Sequence, residues 1–317
     1  MASFRIAVLL TSYNAKSFIA QTLEGISSLT RLPDQVLAAD DGSTDGTREI
    51  IEEWAARQPF EVVVRAKSQG ASGSPARGRQ WGLENSNADL IALLDHDDLF
   101  LPHALSRLEE AFRLEPELVL CFGDARVFET DPAQGKSLLS GKEIGELHMK
   151  SQAGFGLCGP DLFLRLLKGS FIPTSSNLWR RDAAVAVGGF DDHIGSADDA
   201  LLWLRLCKMG AVGCYREFLS CRRLHVNNLS HSDLGSGLSG YRAYVQLLRE
   251  ANTLGLHPAE TQAISQTVQE LLPGISYHAA RAGLPTYRRL SRELGFPLEL
   301  KRLLVALATS ATGSTKG

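Results

Sequence analysis

From residue 4 to residue 122, short apolar runs of strand length alternate with segments whose apolar residues recur at helical spacing. This alternation constrains the fold more than any other feature, because a strand that is apolar on both faces must be covered on both faces. Residues 4–10 form a nearly continuous apolar run, and Phe18, Ile19, Thr22, Leu23 and Ile26 then follow at helical spacing. Residues 35–39 read as a second strand, and Asp45 suits the cap of a helix with Ile50, Ile51 and Trp54 on its apolar face. Residues 61–65 are a β-branched third strand, and a Gly/Ser loop over 69–75 leads into a helix near 76–84. Residues 90–94 read as a fourth strand, Pro102 suits the first turn of a helix to about 114, and residues 118–122 read as a fifth strand. The β-α-β-α order predicts an α/β fold with a mainly parallel sheet flanked by helices.

The remainder divides by composition. Residues 129–170 are less regular and read as a long excursion or lid. A helix is expected over 199–209. The expected division is a domain over 1–230, a Ser/Gly-rich linker over 231–240, a helical region over 241–308 and a disordered tail over 309–317. Val245, Leu247, Leu248, Leu254 and Leu256 suggest packing of the helical region against the main domain or a second subunit, so a homo-oligomer stays open. Residues 298–307, with Lys301 and Arg302, have two readings, ordinary packing and peripheral membrane contact, of which packing is preferred. A net charge of -3 argues against a nucleic-acid partner. The five cysteines form no C-x-x-C pair, which favours neither a disulfide framework nor a zinc knuckle and suits a reducing cytoplasm. No apolar stretch reaches spanning length.

Three acidic clusters carry the chemistry. Asp40-Asp41-Gly42-Ser43 follows the second strand, Asp95-His96-Asp97-Asp98 follows the fourth, and Asp198-Asp199 heads a helix. Open α/β sheets bind ligands at the carboxyl ends of their strands. Carboxylates gathered there are costly without a cation, and hard oxygen ligands suit Mg²⁺ or Mn²⁺ bridging a phosphate. Taken singly, the first cluster is a turn, the second a solvated loop and Asp199 a helix cap.

Taken together and in order, the motifs resemble those of the family 2 inverting glycosyltransferases with the GT-A fold. The resemblance rests on residues 8–14, on Ala39-Asp40-Asp41-Gly42-Ser43-Thr44-Asp45-Gly46-Thr47, and on Leu93-Leu94-Asp95-His96-Asp97-Asp98 before Pro102. It extends to Val187-Gly188-Gly189-Phe190-Asp191 and to Asp198-Asp199 before Leu202-Trp203-Leu204-Arg205, covering about residues 4–230. It implies a Rossmann-like nucleotide-binding half plus an acceptor half, with a C-terminal helical appendage.

Carried over by the resemblance, Thr11 and Tyr13 line the base pocket, Asp41 accepts from the base, and Asp40 shapes the ribose region. Asp97 contacts the metal, Asp95 holds the ribose or a metal-bound water, and His225 approaches the diphosphate or metal, with Asn228 and Ser230 beyond it. Arg77 contacts phosphate or sugar, although Gly78 stands where the family often has Asn. Asp199 is the general base, Trp203 packs beside the acceptor sugar or supports the base helix, and Asp198 lies on the acceptor side. A carboxylate facing a ring N–H favours UDP. The implied partners are a UDP-sugar, a saccharide or glycolipid acceptor and Mn²⁺ or Mg²⁺, in the cytoplasm or at the inner face of the membrane. Against this stand structural readings of Tyr13 as a core aromatic, His225 as a satisfied histidine and Arg281, Arg288, Arg289 and Arg292 as a solvated helix face. His96 falls outside the ligand set, and Trp54 and Trp179 read as core. The rival functions are a nucleotidyltransferase, which needs a Gly-rich, Lys-bearing loop not found in this chain, and a catalytically silent nucleotide-sugar-binding protein.

Overall fold

The computed structural model describes residues 4–66, 72–150, 154–226, 228 and 233–313. The chain divides into two compact units, Met1–Val226 and Asn227–Gly317.

In the first unit, β1 (Ile6–Ser12), β2 (Gln35–Asp40), β3 (Glu61–Ala66) and β4 (Leu90–Asp95) pair in parallel in the order β3-β2-β1-β4. Helices α1 (Ile19–Ser27), α2 (Thr47–Ala55) and α3 (Ala76–Asn85) make the crossovers. The period-two alternation of strands assigns the layers. Ile6, Val8 and Leu10 join Ile19, Leu23, Ile51 and Trp54 in one apolar core, whereas Leu9 and Thr11 face α3 on the other side. Gly78 and Gly82, one helical turn apart, let α3 lie flush on the sheet. A Cβ at Gly78 would sit 3.0 Å from Thr11 Cγ2 and Ala39 Cβ, and one at Gly82 would sit 2.7 Å from Leu9 Cδ2. The departure at Gly78 therefore has a packing cause. β1 runs past its apolar residues because Thr11 and Ser12 continue the ladder opposite Ala39 and Asp40.

The second half of the unit is mixed rather than parallel. After β5 (Leu99–Phe100) and α4 (Ala104–Leu114) comes β6 (Leu118–Phe128), longer than the expected fifth strand. The irregular stretch holds β7 (Lys136–Ser137), β8 (Leu147–Met149), β9 (Phe155–Cys158) and α5 (Leu162–Leu167). β10 (Asn177–Arg180) then inserts antiparallel between β4 and β6, a four-residue strand too short to show a period. After α6 (Arg181–Ala186) and α7 (Asp198–Leu206), β11 (Ala211–Arg223) pairs in parallel with β6 and antiparallel with β9. Eleven strands among the described residues make one sheet, with β3-β2-β1-β4-β10-β6-β11-β9-β8 as its spine.

The second unit consists of α8 (Asp233–Arg249), α9 (Pro258–Arg281), α10 (Leu284–Leu294) and α11 (Leu300–Gly313) among the described residues. The expected linker at 231–240 is replaced from Asp233 onward by the first turns of α8, while residues 231 and 232 lie outside the described residues. Its small residues serve helix packing. A Cβ on Gly237 would meet Ile275 Cγ1 at 3.3 Å and one on Gly240 would meet Leu271 Cδ1 at 3.8 Å. The expected disordered tail is likewise helical to Gly313, with Ser310 Oγ accepting from Leu284 N–H at 2.9 Å, and residues 314–317 lie outside the described residues.

Candidate active site

Parallel pairing aligns three strand ends. Ser12 lies opposite Asp40 and Thr11 opposite Asp95, so the first two acidic clusters leave the sheet side by side. At β2, Asp40 is buried and turned into its own loop. Its carboxylate accepts from Ser12 Oγ, Gly42 N–H, Ser43 N–H and Ser43 Oγ. That spends both oxygens on shaping the 41–43 turn and removes Asp40 from the expected ribose contact. Asp41 is half-buried; its Oδ2 accepts from Ser72 N–H and Ser72 Oγ, and Oδ1 has no hydrogen bond among the described residues. Tyr13 is 42% exposed at the same edge, so it is not the core aromatic of the structural reading. Asn14 adopts φ 45°, turning the chain and letting its Oδ1 accept from Thr44 N–H at 3.0 Å, which ties the two loops together.

The β4 loop is built around two buried carboxylates, one bonded into the backbone frame and one turned to His225. Asp98 is buried, with Oδ2 accepting from Ser175 Oγ at 2.7 Å and Oδ1 from Arg223 N–H at 3.0 Å. Burial, then the charges of Asp97 and Asp95, push its carboxyl well above the ordinary range, and its two hydrogen bonds only partly offset them. Asp97 Oδ2 meets His225 Nε2 at 2.7 Å, and the His225 ring stacks on Phe18 with centroids 4.6 Å apart. Carboxylate and imidazole are ligand types that a divalent ion takes, but Asp95 does not complete a three-ligand set within 4.8 Å with this pair. His96 turns away, its Nδ1 lying 3.2 Å from the Thr11 carbonyl. Asn228 is described, whereas Ser230 lies outside the described residues.

The residue that joins the clusters is Arg79. Its Nη1 donates to both oxygens of Asp198, at 2.9 and 3.0 Å, and its Nη2 donates to Asp95 Oδ1 at 2.7 Å. Burial works against its charge, but Asp198, Asp95 and Asp199 outweigh it and hold the guanidinium protonated. Burial pushes Asp198 up to about 6 while Arg79 pulls it back, which leaves an ion pair at neutral pH. Arg79 was missed in the sequence, although it shares a helical face with Ala76, Gly82 and Leu83, and an arginine on a buried face needs a carboxylate. Arg77 instead points outward, its Nε donating to Asp192 at 2.6 Å. Its guanidinium holds the Asp192 carboxyl below the ordinary range. Asp191, Asp192 and His193 bring ligand atoms within 4.8 Å of one another, but Arg77 already occupies Asp192.

Asp199, in the first turn of α7, is half-buried, with Oδ2 accepting from Thr174 Oγ1 at 2.6 Å. The next residue, Ser175, accepts from Asp95 N–H at 3.1 Å while donating to Asp98. The pair 174–175 thus fastens the head of α7 to the β4 loop, and Asn177 Nδ2 braces it by donating to the Pro173 and Thr174 carbonyls. Neither Thr174 nor Ser175 carries a sequence signal. One acceptor-side expectation is corrected, and for Trp203 the reading as support of the α7 helix is the one that fits. Asp198 has no exposed side-chain surface, because Arg79 encloses it. Trp203 is also fully buried, with its ring 6.5 Å from Trp179, because its place on α7 faces the sheet.

The comparisons bear on the family and the fold. The family model described as glycosyl transferase family 2 matches residues 7–165. An uncharacterized protein of Mycobacterium tuberculosis is 28% identical over 233 residues, covering 72% of this chain and 61% of that protein, so the chain spans about three-fifths of this relative. The poly-beta-1,6-N-acetyl-D-glucosamine synthase of Staphylococcus epidermidis is 25% identical over 199 residues, or 62% of this chain and 45% of the synthase. Among solved structures, S. aureus TarS 1–349 in complex with UDP-GlcNAc superposes with a TM-score of 0.63 at 15% identity, covering 95% of this chain and 78% of that one. The mannosyltransferase PcManGT of Pyrobaculum calidifontis, in complex with GDP-Man and Mn²⁺, gives 0.56 at 14% identity, covering 98% and 85%. With its motifs at neighbouring strand ends and half its length matched by the family model, the chain belongs to glycosyl transferase family 2.

Proposed function

We propose that the chain moves a sugar from a nucleoside-diphosphate donor, with UDP favoured, to a hydroxyl of a saccharide or glycolipid, inverting the anomeric centre. The observation that carries this reading is the division of labour at α7. Asp198 is locked by Arg79, which leaves Asp199 as the half-exposed carboxylate, steadied by Thr174 and linked through residues 174–175 to the β4 loop. In the proposed step the acceptor oxygen bonds to the anomeric carbon, the bond from that carbon to the diphosphate oxygen breaks, and Asp199 takes the acceptor proton. One base and one displacement imply inversion.

Asp97 and His225 would hold the divalent ion, which supplies charge stabilisation to the departing diphosphate. Tyr13 offers a stacking face, and the second oxygen of Asp41 can accept the N–H of uracil, where cytosine presents an acceptor. The PcManGT complex with GDP-Man and Mn²⁺ and the TarS complex with UDP-GlcNAc support a metal-assisted nucleotide-sugar reaction by analogy. The synthase relative supports a role in polysaccharide or glycoconjugate synthesis.

The test is a panel of nucleotide sugars scored for binding and slow hydrolysis with and without Mn²⁺. Metal-dependent release of UDP, ahead of GDP, ADP and CDP, is expected. Release of pyrophosphate from a nucleoside triphosphate and a sugar phosphate, with no turnover of any nucleotide sugar, would replace this reading by nucleotidyl transfer.

A further inference from the structure

Helix α11 is anchored to its unit by one side only. Glu299 N–H, just before the helix, donates to the Tyr287 hydroxyl at 3.0 Å, and Arg302 Nη1 donates to Ser276 Oγ at 2.6 Å. Leu303 and Ala306 enter the core around Ile275, Tyr287 and Leu290, and Ser310 bonds Leu284. Residues 299, 302, 303, 306 and 310 share one helix face, so Leu300, Leu304 and Leu307 fall on the other. They are 74%, 60% and 50% exposed. Val305 and Leu298 are exposed as well but lie off this stripe. Single exposed leucines are ordinary, but a stripe at i, i+4 and i+7 is the pattern of a helix that buries a second face. Packing within the unit accounts for Arg302, Leu303 and Ala306 and leaves this face exposed.

From the end of α9 through α11 the charges are mostly basic. Arg289 pairs with Glu293 and Arg302 with Glu299. Arg281, Arg288, Arg292 and Lys301 have no carboxylate partner among the described residues. We infer that the exposed face of α11 docks on an anionic lipid bilayer, with its leucines at the acyl boundary and the unpaired cations among the headgroups. A second copy of the chain is the poorer occupant, because a twofold contact would bring the same cations against themselves. Insertion across the membrane is not implied, since no helix among the described residues is long and apolar enough to span it. The inference does not depend on which nucleotide or sugar the first unit takes.

The test is co-sedimentation of the full chain with vesicles of phosphatidylcholine containing about a third phosphatidylglycerol, and with pure phosphatidylcholine vesicles. Strong association with the anionic vesicles and weak association with the neutral ones is expected. Leu304→Ser combined with Leu307→Ser should lower partitioning by about tenfold with an unchanged melting curve. Arg288→Gln, Arg292→Gln and Lys301→Gln should each lower it by about fivefold at low salt. Absence of association at millimolar lipid, or equal partitioning of the parent and the serine variant, overturns the inference. So does a dimer in sedimentation velocity that the serine variant dissociates, which would make a second copy the occupant.

Discussion

Asp97–Asp98 and Asp198–Asp199 are the same dipeptide in two settings, and each setting divides the work between neighbours in the opposite order. In the β4 loop the second aspartate is sealed, by the Ser175 hydroxyl and the Arg223 N–H, and the first reaches His225. At α7 the first is sealed, by Arg79, and the second is held out by Thr174. The seals also differ in kind. Neutral donors leave Asp98 an uncompensated buried carboxylate, whereas a guanidinium makes Asp198 half of an ion pair. Sealing one carboxylate organises the backbone, and that organisation aims the other.

Chelation and five substitutions test this division, in descending order of expected effect. Chelation comes first, since it acts on the residue of the β4 loop that is turned to His225. EDTA should abolish transfer and Mn²⁺ should restore it, and Asp97→Ala should mimic chelation with little change in melting temperature. Full activity after rigorous chelation would remove Asp97 and His225 from the mechanism. Next, Asp199→Asn keeps the size of the side chain but cannot take a proton. Turnover should fall by roughly 10²–10⁴-fold while UDP affinity and folding persist; near-normal turnover would move the base to Asp191.

Its neighbour should behave in the opposite way. Asp198→Asn turns an amide N–H against the Arg79 donor and loses one of the two hydrogen bonds there, a loss of roughly 2 kcal/mol that urea denaturation would register. The same carboxylate has a pH signature. Its folded pKa of about 6 lies above the ordinary 3.8. The native state therefore holds the proton more tightly, and the stability from this group is complete below pH 3.8 and lost as pH rises through about 6. Asp198→Asn should flatten that slope, and an unchanged slope would place the titration elsewhere. In the third pair, Asp41→Asn should lower UDP affinity by about tenfold, the worth of one charge-assisted hydrogen bond, and narrow the preference over CDP in calorimetry. A preserved preference would mean that the base lies elsewhere. The smallest effect belongs to Asp98→Asn, about 1 kcal/mol, because its donors are neutral and Ser175 can rotate; a loss equal to that of Asp198→Asn would erase the contrast between the two seals.

Much of the first unit was legible because parallel strands buried on both faces must be apolar throughout. That requirement marked β1, β2 and β4, while β-branched residues marked the edge strand β3, and two acidic clusters fell at adjacent strand ends. The second half resisted for the same reason in reverse: β10 has four residues, β8 three, and neither is long enough to show a period. The linker at 231–240 misled because small residues signal both loose chain and close helix contact, and only the partner helix at Leu271 and Ile275 distinguishes the two.

The sequence by itself determined which residue types gather at the strand ends, and so the family and the kind of chemistry open to the chain. Only the tertiary structure decided which member of each aspartate pair works as frame and which is left to the site. It chose Arg79 over Arg77, two positions away on the same helix, because a helix turns about 100° per residue and α3 buries only one side. It also brought Thr174 and Ser175 to Asp199 and Asp98 across separations of 25 and 77 residues. A hydroxyl that orients a carboxylate needs only to be within hydrogen-bond reach, and no spacing along the chain encodes that proximity.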